Sequence, residues 1–499
     1  MPVFVSSTSS VTRHGVFAIQ RTQAPVVRRA GTGVVCMVAQ LPWGPDGQLI
    51  EEGDGDRGLV IAPPGMSRTG SGYLSTIRKA WPTLLLSRVL GTAAAIGFSQ
   101  LTAAGPVNIV KVHGKYKGAA INSAVATVSA ASDGDSNHFD LSVTVTGASG
   151  STTDTFKNLN YSGVGSDSTP DFSQTRLVGS ITKDTSGRPA NGTYTFSTGA
   201  EGTIDGAAYT GTAGTGDKGI ALAESDNRIR HILTDDSGNS LRAAVNAALV
   251  THAETLGDRV AYLNGDSGLS AAATQSDVAN YRSTRAIYVD PWTRIYDDTD
   301  GTTKRLVPPA AWAASVAAQV SPSTSIAWKH PEVQAMLRGI VELESNRGSA
   351  AGANTTAGIV TIIKEETGGW TFEAGDVTNS PVDPTQRTLA RTRMGDYIAV
   401  SVVRSWRAQT DAPNVPQNQF ELVQSLDNFM SALKLAQDGD PNHNPHVLDY
   451  AILPPAAYNP QVDLDAGQYV VPLDVKTSSA MERIFLSIRH GETVQIQAA

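Results

Sequence analysis

The sequence predicts a multidomain α/β protein. An α/β core is interrupted by an inserted all-β outer domain and followed by a C-terminal α+β domain, with extended strand-forming arms at both ends. Three observations predict this. After Ser225 the patterning runs β-α-β-α-β, the order of a sheet sandwiched by helices. Residues 115–222 change composition sharply, with 16 Gly and 31 Ser or Thr and no Trp, Met or Cys. Beyond residue 380, two long helical patterns precede short strands. A length of 499 residues suits three or four domains at about 100–200 residues each.

The first 30 residues carry strand-like pieces, Val3 to Val5 and Val16 to Ile19, but too few apolar residues to close a core; they read as an arm. Gly33 to Ala39 is a continuous apolar run of strand length, as in strands buried on both faces. Helical patterning is read over Tyr73–Trp81 and Leu84–Phe98, split by Pro82, and a strand over Asn108–Val112. Within 115–222, Phe139 to Val145 and Thr193 to Phe196 alternate with period two between turn signals such as Asn191-Gly192, predicting a β-sandwich-like unit. Strands follow at Ile229–Leu233, Val260–Leu263 and Arg285–Val289. A helix is expected over Leu241–Leu256 with Asn239 or Ser240 as its cap. The middle domain is therefore discontinuous, 31–114 plus 223–380, with 115–222 inserted. In the C-terminal domain, 381–490, helices are expected over Arg387–Trp406 and Gln417–Gln437. The second places Phe420, Val423, Leu426, Phe429, Met430 and Leu433 on one face. Strands are expected over Val447–Leu453, Tyr469–Val475 and Glu482–Arg489, and an alternating strand, Thr493 to Gln497, lies in a C-terminal arm, 491–499.

Composition excludes several classes. One cysteine, Cys36, permits neither a disulfide framework nor a cysteine-rich zinc site. A net charge of −8 argues against general nucleic-acid binding, which needs a basic face. No apolar run reaches the roughly 18 residues of a membrane span; Arg88 interrupts the nearest, Thr83 to Phe98. The opening residues lack the basic start and apolar core of a secretory signal, so a soluble product made in a cytoplasm is expected.

No motif assembles a catalytic site. Gly265-Asp266-Ser267-Gly268 copies the nucleophile turn of trypsin-like proteases, but without its following Gly-Pro or a segment supplying the base. Asp298-Thr299-Asp300-Gly301 has the look of a calcium loop, yet the first ligand position falls on Tyr296; a hairpin turn before Lys304–Val307 is the better reading. His443 and His446 lack a third metal ligand, and Gly211–Gly219 lacks the Gly-Lys-Ser/Thr of a phosphate loop. No catalytic residue, metal or cofactor is expected. The unpaired strand-like termini suggest instead β-augmentation of a neighbouring subunit, each backbone hydrogen bond contributing about 0.5–1.5 kcal/mol net.

Several segments together resemble the contractile tail sheath proteins of bacteriophages and related injection machines. His14-Gly15-Val16-Phe17 resembles that family's early Pro-Gly-Val-Tyr strand. Gly33 to Ala39, closing with Pro42-Trp43-Gly44-Pro45, is similar to its first core strand and the Gly-Pro turn. Val307-Pro308-Pro309-Ala310-Ala311-Trp312-Ala313 resembles Pro-Pro-Ser-x-x-x-Ala, and Ile326-Ala327-Trp328-Lys329-His330-Pro331 resembles Gly-Val-Trp-Lys-Ala-Pro. Arg387 to Trp406 with Ala412-Pro413-Asn414 resembles the long helix ending near Phe-Glu-Pro-Asn, and Met481 to Leu486 stands where the family has Ala-Glu-Phe-Ile. Asp411-Ala412 departs from Phe-Glu, and His14 from Pro.

The resemblance implies a non-enzymatic subunit of homo-hexameric rings stacked as a helical polymer around a tail tube. Irreversible contraction would drive the tube through the host envelope for genome ejection. It implies partners in the tail tube protein, baseplate and terminator or neck proteins, with no nucleic acid and no membrane insertion. The location implied is the virion tail, after assembly in the host cytoplasm. Inter-subunit strand exchange would fall on Val16, Phe17, Ala18 and Ile19 and on Thr493, Val494, Gln495, Ile496 and Gln497. Tube-facing candidates are Glu421 and Asp427. The competing readings are a surface adhesin or carbohydrate-binding protein using 115–222, and a hydrolase using Ser267.

Overall fold

The structure, a computed structural model, describes residues 3–5, 17–19, 33–52 and 83–477, less 148–149, 213, 215–217, 236–237, 297–301, 328–330, 366–367, 408–413, 436–445, 462–463 and 465–468. Strand β1 (Val3–Val5) pairs in parallel with β2 (Phe17–Ile19). Then come β3 (Val34–Ala39), β4 (Ile50–Glu52) and β5 (Thr83–Arg88). A run of strands follows: β6 (Ile96–Thr102), β7 (Asn108–Lys117), β8 (Val125–Ala130), β9 (His138–Gly147), β10 (Gly150–Asn160), β11 (Val178–Lys183) and β12 (Gly192–Ser197). Short helices α1 (Gly206–Thr210) and α2 (Gly219–Leu222) lead to β13 (His231–Thr234), α3 (Asn239–Leu256), β14 (Val260–Asn264), α4 (Ala271–Val278) and β15 (Ala286–Asp290). The hairpin of β16 (Thr293–Tyr296) and β17 (Lys304–Val307) precedes α5 (Ala310–Gln319), α6 (Pro331–Met336), β18 (Glu342–Leu343), α7 (Ala351–Ala357), β19 (Ile359–Lys364) and β20 (Trp370–Phe372). Last come α8 (Leu389–Trp406), α9 (Pro416–Lys434), β21 (Val447–Ile452) and β22 (Leu473–Thr477).

The central sheet has the order β20-β19-β15-β14-β13-β3-β5-β4, parallel except for the two edge strands. Its central strands β3, β13, β14 and β15 are largely apolar and almost wholly buried because both faces are covered, and their side chains alternate between two cores. Val35 and Met37 face one core with Val260, Tyr262 and Ile287; Cys36 and Val38 face the other with Val245, Leu249 and Leu263. Helix α5 lies in the first core, buried on every side from Ala310 to Ala318, and alanine is the residue that lets it sit that close to the sheet. A helix buried at both ends must satisfy its end groups internally. Asn264 Oδ1 accepts the Ala310 N–H at 2.8 Å, and the Arg393 guanidinium donates to the Ala317 and Val320 carbonyls.

A seven-stranded antiparallel sheet, β10-β9-β8-β12-β6-β7-β11, is built from chain lying between the segments that form β5 and β13. It begins at Ile96, so β6 and most of β7 belong to it although they precede the compositional change at Gly114. Its edges are drawn together at one end: Asp154 on β10 accepts backbone N–H bonds from Arg176, Leu177 and Val178, where β11 starts. The chain enters and leaves side by side, with bridges Thr92 to Thr203 and Ala95 to Ala200. Gly91 is required there, because a Cβ would lie 2.1 Å from the Thr203 carbonyl oxygen.

The helix expected over Leu84–Phe98 is overturned. That stretch forms β5, a turn and the start of β6. An apolar run such as Leu84-Leu85-Leu86 cannot be assigned by periodicity alone, and here it pairs with Val35 to Met37 in the doubly covered sheet. Tyr73–Trp81 lies outside the described residues. The cap expected on Asn239 or Ser240 is Gly238, φ 75°, with no side-chain bond; Asn239 accepts instead from Arg242. The strands expected at Asn108, Phe139, Thr193, Val260, Arg285 and Val447 and the hairpin before Lys304 are present.

Candidate functional site

Helix α8 joins two cores. Leu389 at its start belongs to the core beneath the central sheet, whereas Met394 and Ile398 pack with Leu426, Phe429, Met430, Leu433 and Val447. Three polar contacts moor it to the sheet side. Arg285 makes a two-pronged pair with Asp396 at 2.7 Å on each oxygen, Thr392 donates to the Thr284 carbonyl, and Arg393 closes the end of α5. Near its other end Arg404 donates to the Asn227 carbonyl at 2.6 Å. Helix α9 crosses α8 through Tyr397 against Phe429, and its Tyr450 and Asp449 contacts tie it to the β21–β22 hairpin.

Among the described residues of this C-terminal module, Val403, Phe420, Leu435, Leu448 and Val470 are each between 45 and 68% exposed. A groove of about 760 Å³ runs between α8 and the hairpin, walled by Ile398, Val402 and Trp406 on one side and Leu448, Leu473 and Val475 on the other. Among the described residues, β21 and β22 pair only with each other.

The sequence-predicted residues fall in different places. Phe17, Ala18 and Ile19 form β2, paired with β1; Val16 and Thr493 to Gln497 lie outside the described residues. Glu421 and Asp427 are both on α9: Glu421 accepts from Gln417 Nε2 at 2.8 Å, and Asp427, exposed, accepts from Tyr450 Oη at 2.8 Å. Of the apolar face expected on α9, Leu426, Phe429, Met430 and Leu433 are buried, but Phe420 is 61% exposed. It precedes the buried stretch of α9, which begins at Ser425.

The remaining motifs are absorbed by the fold. The Gly265 carbonyl accepts from Trp292 Nε1 and Arg242, Arg242 also pairs with Asp266 at 2.9 Å, and a Cβ on Gly265 would meet Tyr288 Oη at 2.2 Å. The Gly214 N–H is held by Glu224, an acid where a phosphate loop would need an anion-free cradle. His443 and Asp298–Gly301 lie outside the described residues, and His446 Nδ1 is hydrogen-bonded to Ser321. Among the described residues, no group of three or more His, Cys, Asp or Glu is placed to hold a metal, and no helix is long and apolar enough to cross a membrane.

Sequence reasoning missed the switch point of the central sheet. The order of strand addition reverses between the parallel strands β3 and β13, where doubly wound sheets bind nucleotides beyond the strand ends. Here that crevice is filled by the chain itself. The Gln40 N–H donates to Asp235 Oδ2 at 2.7 Å, Tyr209 Oη donates to Asp235 Oδ1 at 2.9 Å, and Gln40 Nε2 donates to Tyr209 Oη.

No family model matches the chain, and no curated protein matches it. Solved structures do. The crystal structure of the sheath tail protein from Desulfitobacterium hafniense matches at TM-score 0.61 and 17% identity, covering 88% of this chain and 93% of that one. The chain has the fold of the contractile tail sheath proteins. The sheath tail protein from Listeria innocua matches at TM-score 0.58 and 15% identity, over 90% of this chain and 96% of that one. The helical sheath of the anti-feeding prophage in its contracted state matches at TM-score 0.56 and 12% identity, over 97% and 99%.

Proposed function

We propose that the chain is the structural subunit of a contractile tail sheath of a bacteriophage. It polymerises as stacked hexameric rings around a tail tube and contracts irreversibly to drive the tube through the host envelope for genome ejection. The observation that carries the reading is the sheath fold over nearly the whole length of both chains. In this reading residues 1–30 and 491–499 are arms that link neighbours, through Val16 to Ile19 and Thr493 to Gln497. The central sheet with its helices forms the middle domain, the seven-stranded sheet inserted between Ile96 and Ser197 the outward domain, and residues 381–490 the tube-facing domain, with Glu421 and Asp427 toward the tube. The tail tube, baseplate and terminator or neck proteins are its partners, the chain has no enzymatic activity, and it assembles in the host cytoplasm.

Negative-stain electron microscopy of the purified chain tests this. Long hollow tubes with a helical repeat are expected, and removing residues 1–20 is expected to abolish them. Discrete particles at every salt and concentration, unchanged by that truncation and by added tail tube, would overturn the reading.

A further inference from the structure

The seven-stranded sheet is held to the central sheet by more than the two chain passes that lead into it and out of it. The loop that follows β3 enters the outer core. Trp43, 2% exposed, belongs to the core of Leu101, Ile109 and Val110, and its ring meets Tyr116 of β7 edge-on with centroids 5.3 Å apart. A buried tryptophan covers about 150–250 Å², so one side chain anchors a loop of the central sheet in the interior of the other. Arg88, the last residue of β5 and also 2% exposed, closes over the same loop. Its guanidinium donates to the carbonyls of Leu41 at 2.9 Å, Gly44 at 2.6 Å and Pro42 at 3.3 Å, and to that of Lys117, the last residue of β7, at 2.8 Å. A rigid fork of donors thus grips the loop and the outer sheet together. Gly118 makes the room, since a Cβ there, at φ 127°, would lie 2.9 Å from Arg88 Nη2. Around this grip Lys117 Nζ pairs with Asp46 at 2.8 Å, Glu201 accepts the Ala119 N–H at 3.0 Å, and the Asn122 amide both donates to and accepts from the backbone of Gly199.

We propose that loop 40–46 is an orientation lock: Trp43 as a peg and Arg88 as a clamp fix the seven-stranded sheet on the central sheet, so that the two turn as one rigid body. The two chain passes, bridged at Thr92 to Thr203 and Ala95 to Ala200, would by themselves make a hinge, because a pair of adjacent strands can bend without disturbing either core. With the peg in place, bending must draw Trp43 out of a close-packed interior, and such interiors have no slack to take it up. It must also part Arg88 from the Lys117 carbonyl, leaving buried groups without partners. Either residue could have stabilised one sheet alone; both reach across. The loop starts at Gln40, whose N–H and side-chain amide are tied to Asp235 and Tyr209 at the switch point. A load taken up by the outer sheet is therefore delivered to β3, in the middle of the central sheet, and is not absorbed at the neck. The inference stands on the contacts between the two sheets and does not depend on the sheath reading.

Distance distributions between paired spin labels, measured by pulsed electron resonance on the full chain, test it. Labels at Thr155→Cys on β10 and Ala247→Cys on α3, both exposed positions, span the neck. Labels at Thr155→Cys and Thr195→Cys lie within the seven-stranded sheet and serve as the reference. Cys36 is fully buried and stays unlabelled. The spanning distribution is expected to match the reference in width within a factor of two. In Trp43→Ala it is expected to widen at least twofold while the reference is unchanged. A spanning distribution more than twice as wide as the reference before any change to the loop would overturn the inference, and so would one that stays narrow in Trp43→Ala. Should that variant widen the reference pair as well, the outer core has been lost with the peg; Arg88→Met, which leaves that core filled, is then read by the same two criteria.

Discussion

Changing Asp396 to asparagine is expected to loosen α8 from the central sheet while leaving the sheet intact. The Arg285 guanidinium donates to both Asp396 oxygens at 2.7 Å, and the side chains are 22% and 10% exposed. Breaking a fully buried pair by removing one partner costs about 3–5 kcal/mol, whereas an exposed pair contributes about 0.2–1. A two-pronged pair at this depth falls between, at about 2–3 kcal/mol. At about 1.4 kcal/mol per factor of ten, exchange of the α8 amides is expected to speed up roughly 30- to 150-fold, with the amides of β13 to β15 unaffected. Hydrogen-exchange mass spectrometry of the full chain reads both regions at once. Arg285→Met is expected to give a similar effect, and the double variant less than the sum, because each single change leaves a charge without its partner. Exchange of α8 within a factor of two of wild type in Asp396→Asn, or strict additivity in the double variant, would refute the argument that this pair moors the helix.

Other expectations follow from the same contacts. Arg393→Met leaves the buried carbonyls of Ala317 and Val320 without a donor; at about 1–3 kcal/mol for each unsatisfied group, it is expected to lower the unfolding midpoint clearly more than Arg391→Met, which removes only an exposed charge. Asp154→Ala takes the acceptor from three backbone N–H groups where the edges of the seven-stranded sheet meet, two of them buried. It is expected to cost about 2–4 kcal/mol, read as faster exchange confined to residues 150–183. His138 is raised from its ordinary value by its hydrogen bond to Asp133, and the Asp133 carboxyl is lowered by the same bond. The His138 contribution is complete below its unfolded value near 6.5 and fades as pH rises through the folded one. The loop 131–138 is therefore expected to be better protected at pH 5.5 than at pH 8 once intrinsic exchange is corrected, and His138→Gln to remove the difference. Beside it, Lys157 and the Asn158 and Ser132 N–H groups outweigh burial and hold the Asp140 carboxyl down to about 2, so Asp140 stays ionised across that range.

What was legible in the sequence followed burial. Gly33–Ala39 and Val260–Leu263 announce themselves as strands because both faces are covered, and α9 because one face is. Leu84–Phe98 misled because a leucine run covered on both faces carries no period. Gly114 misled because the Gly/Ser/Thr bias begins within a strand that was already part of the second sheet. The moorings of α8 leave no local trace: Arg285 and Asp396 are 111 residues apart, and Arg393 reaches carbonyls more than 70 residues away. Gln40, Tyr209 and Asp235 are likewise brought together only by the sheet order. Of the assembly residues, Phe17 to Ile19, Glu421 and Asp427 could be placed, and exposed Phe420 stood out only once the packing of α9 was known.

The pairing of β3 with β13 joins Cys36 to Ile232, and that has a consequence for how the protein is made. The inner strand of the central sheet leaves the ribosome long before its neighbour. At about 5–20 residues per second, the 195 intervening residues take roughly 10–40 s to synthesise. During that wait the seven-stranded sheet, whose strands are all local to it, has everything it needs to fold, while Val34–Ala39 does not. Helix α8 takes its moorings from residues around 285 and 320, so the apolar outer module takes shape only after the central sheet has closed. A nascent chain thus keeps its stickiest surface unformed until the rest of the subunit can hold it in place.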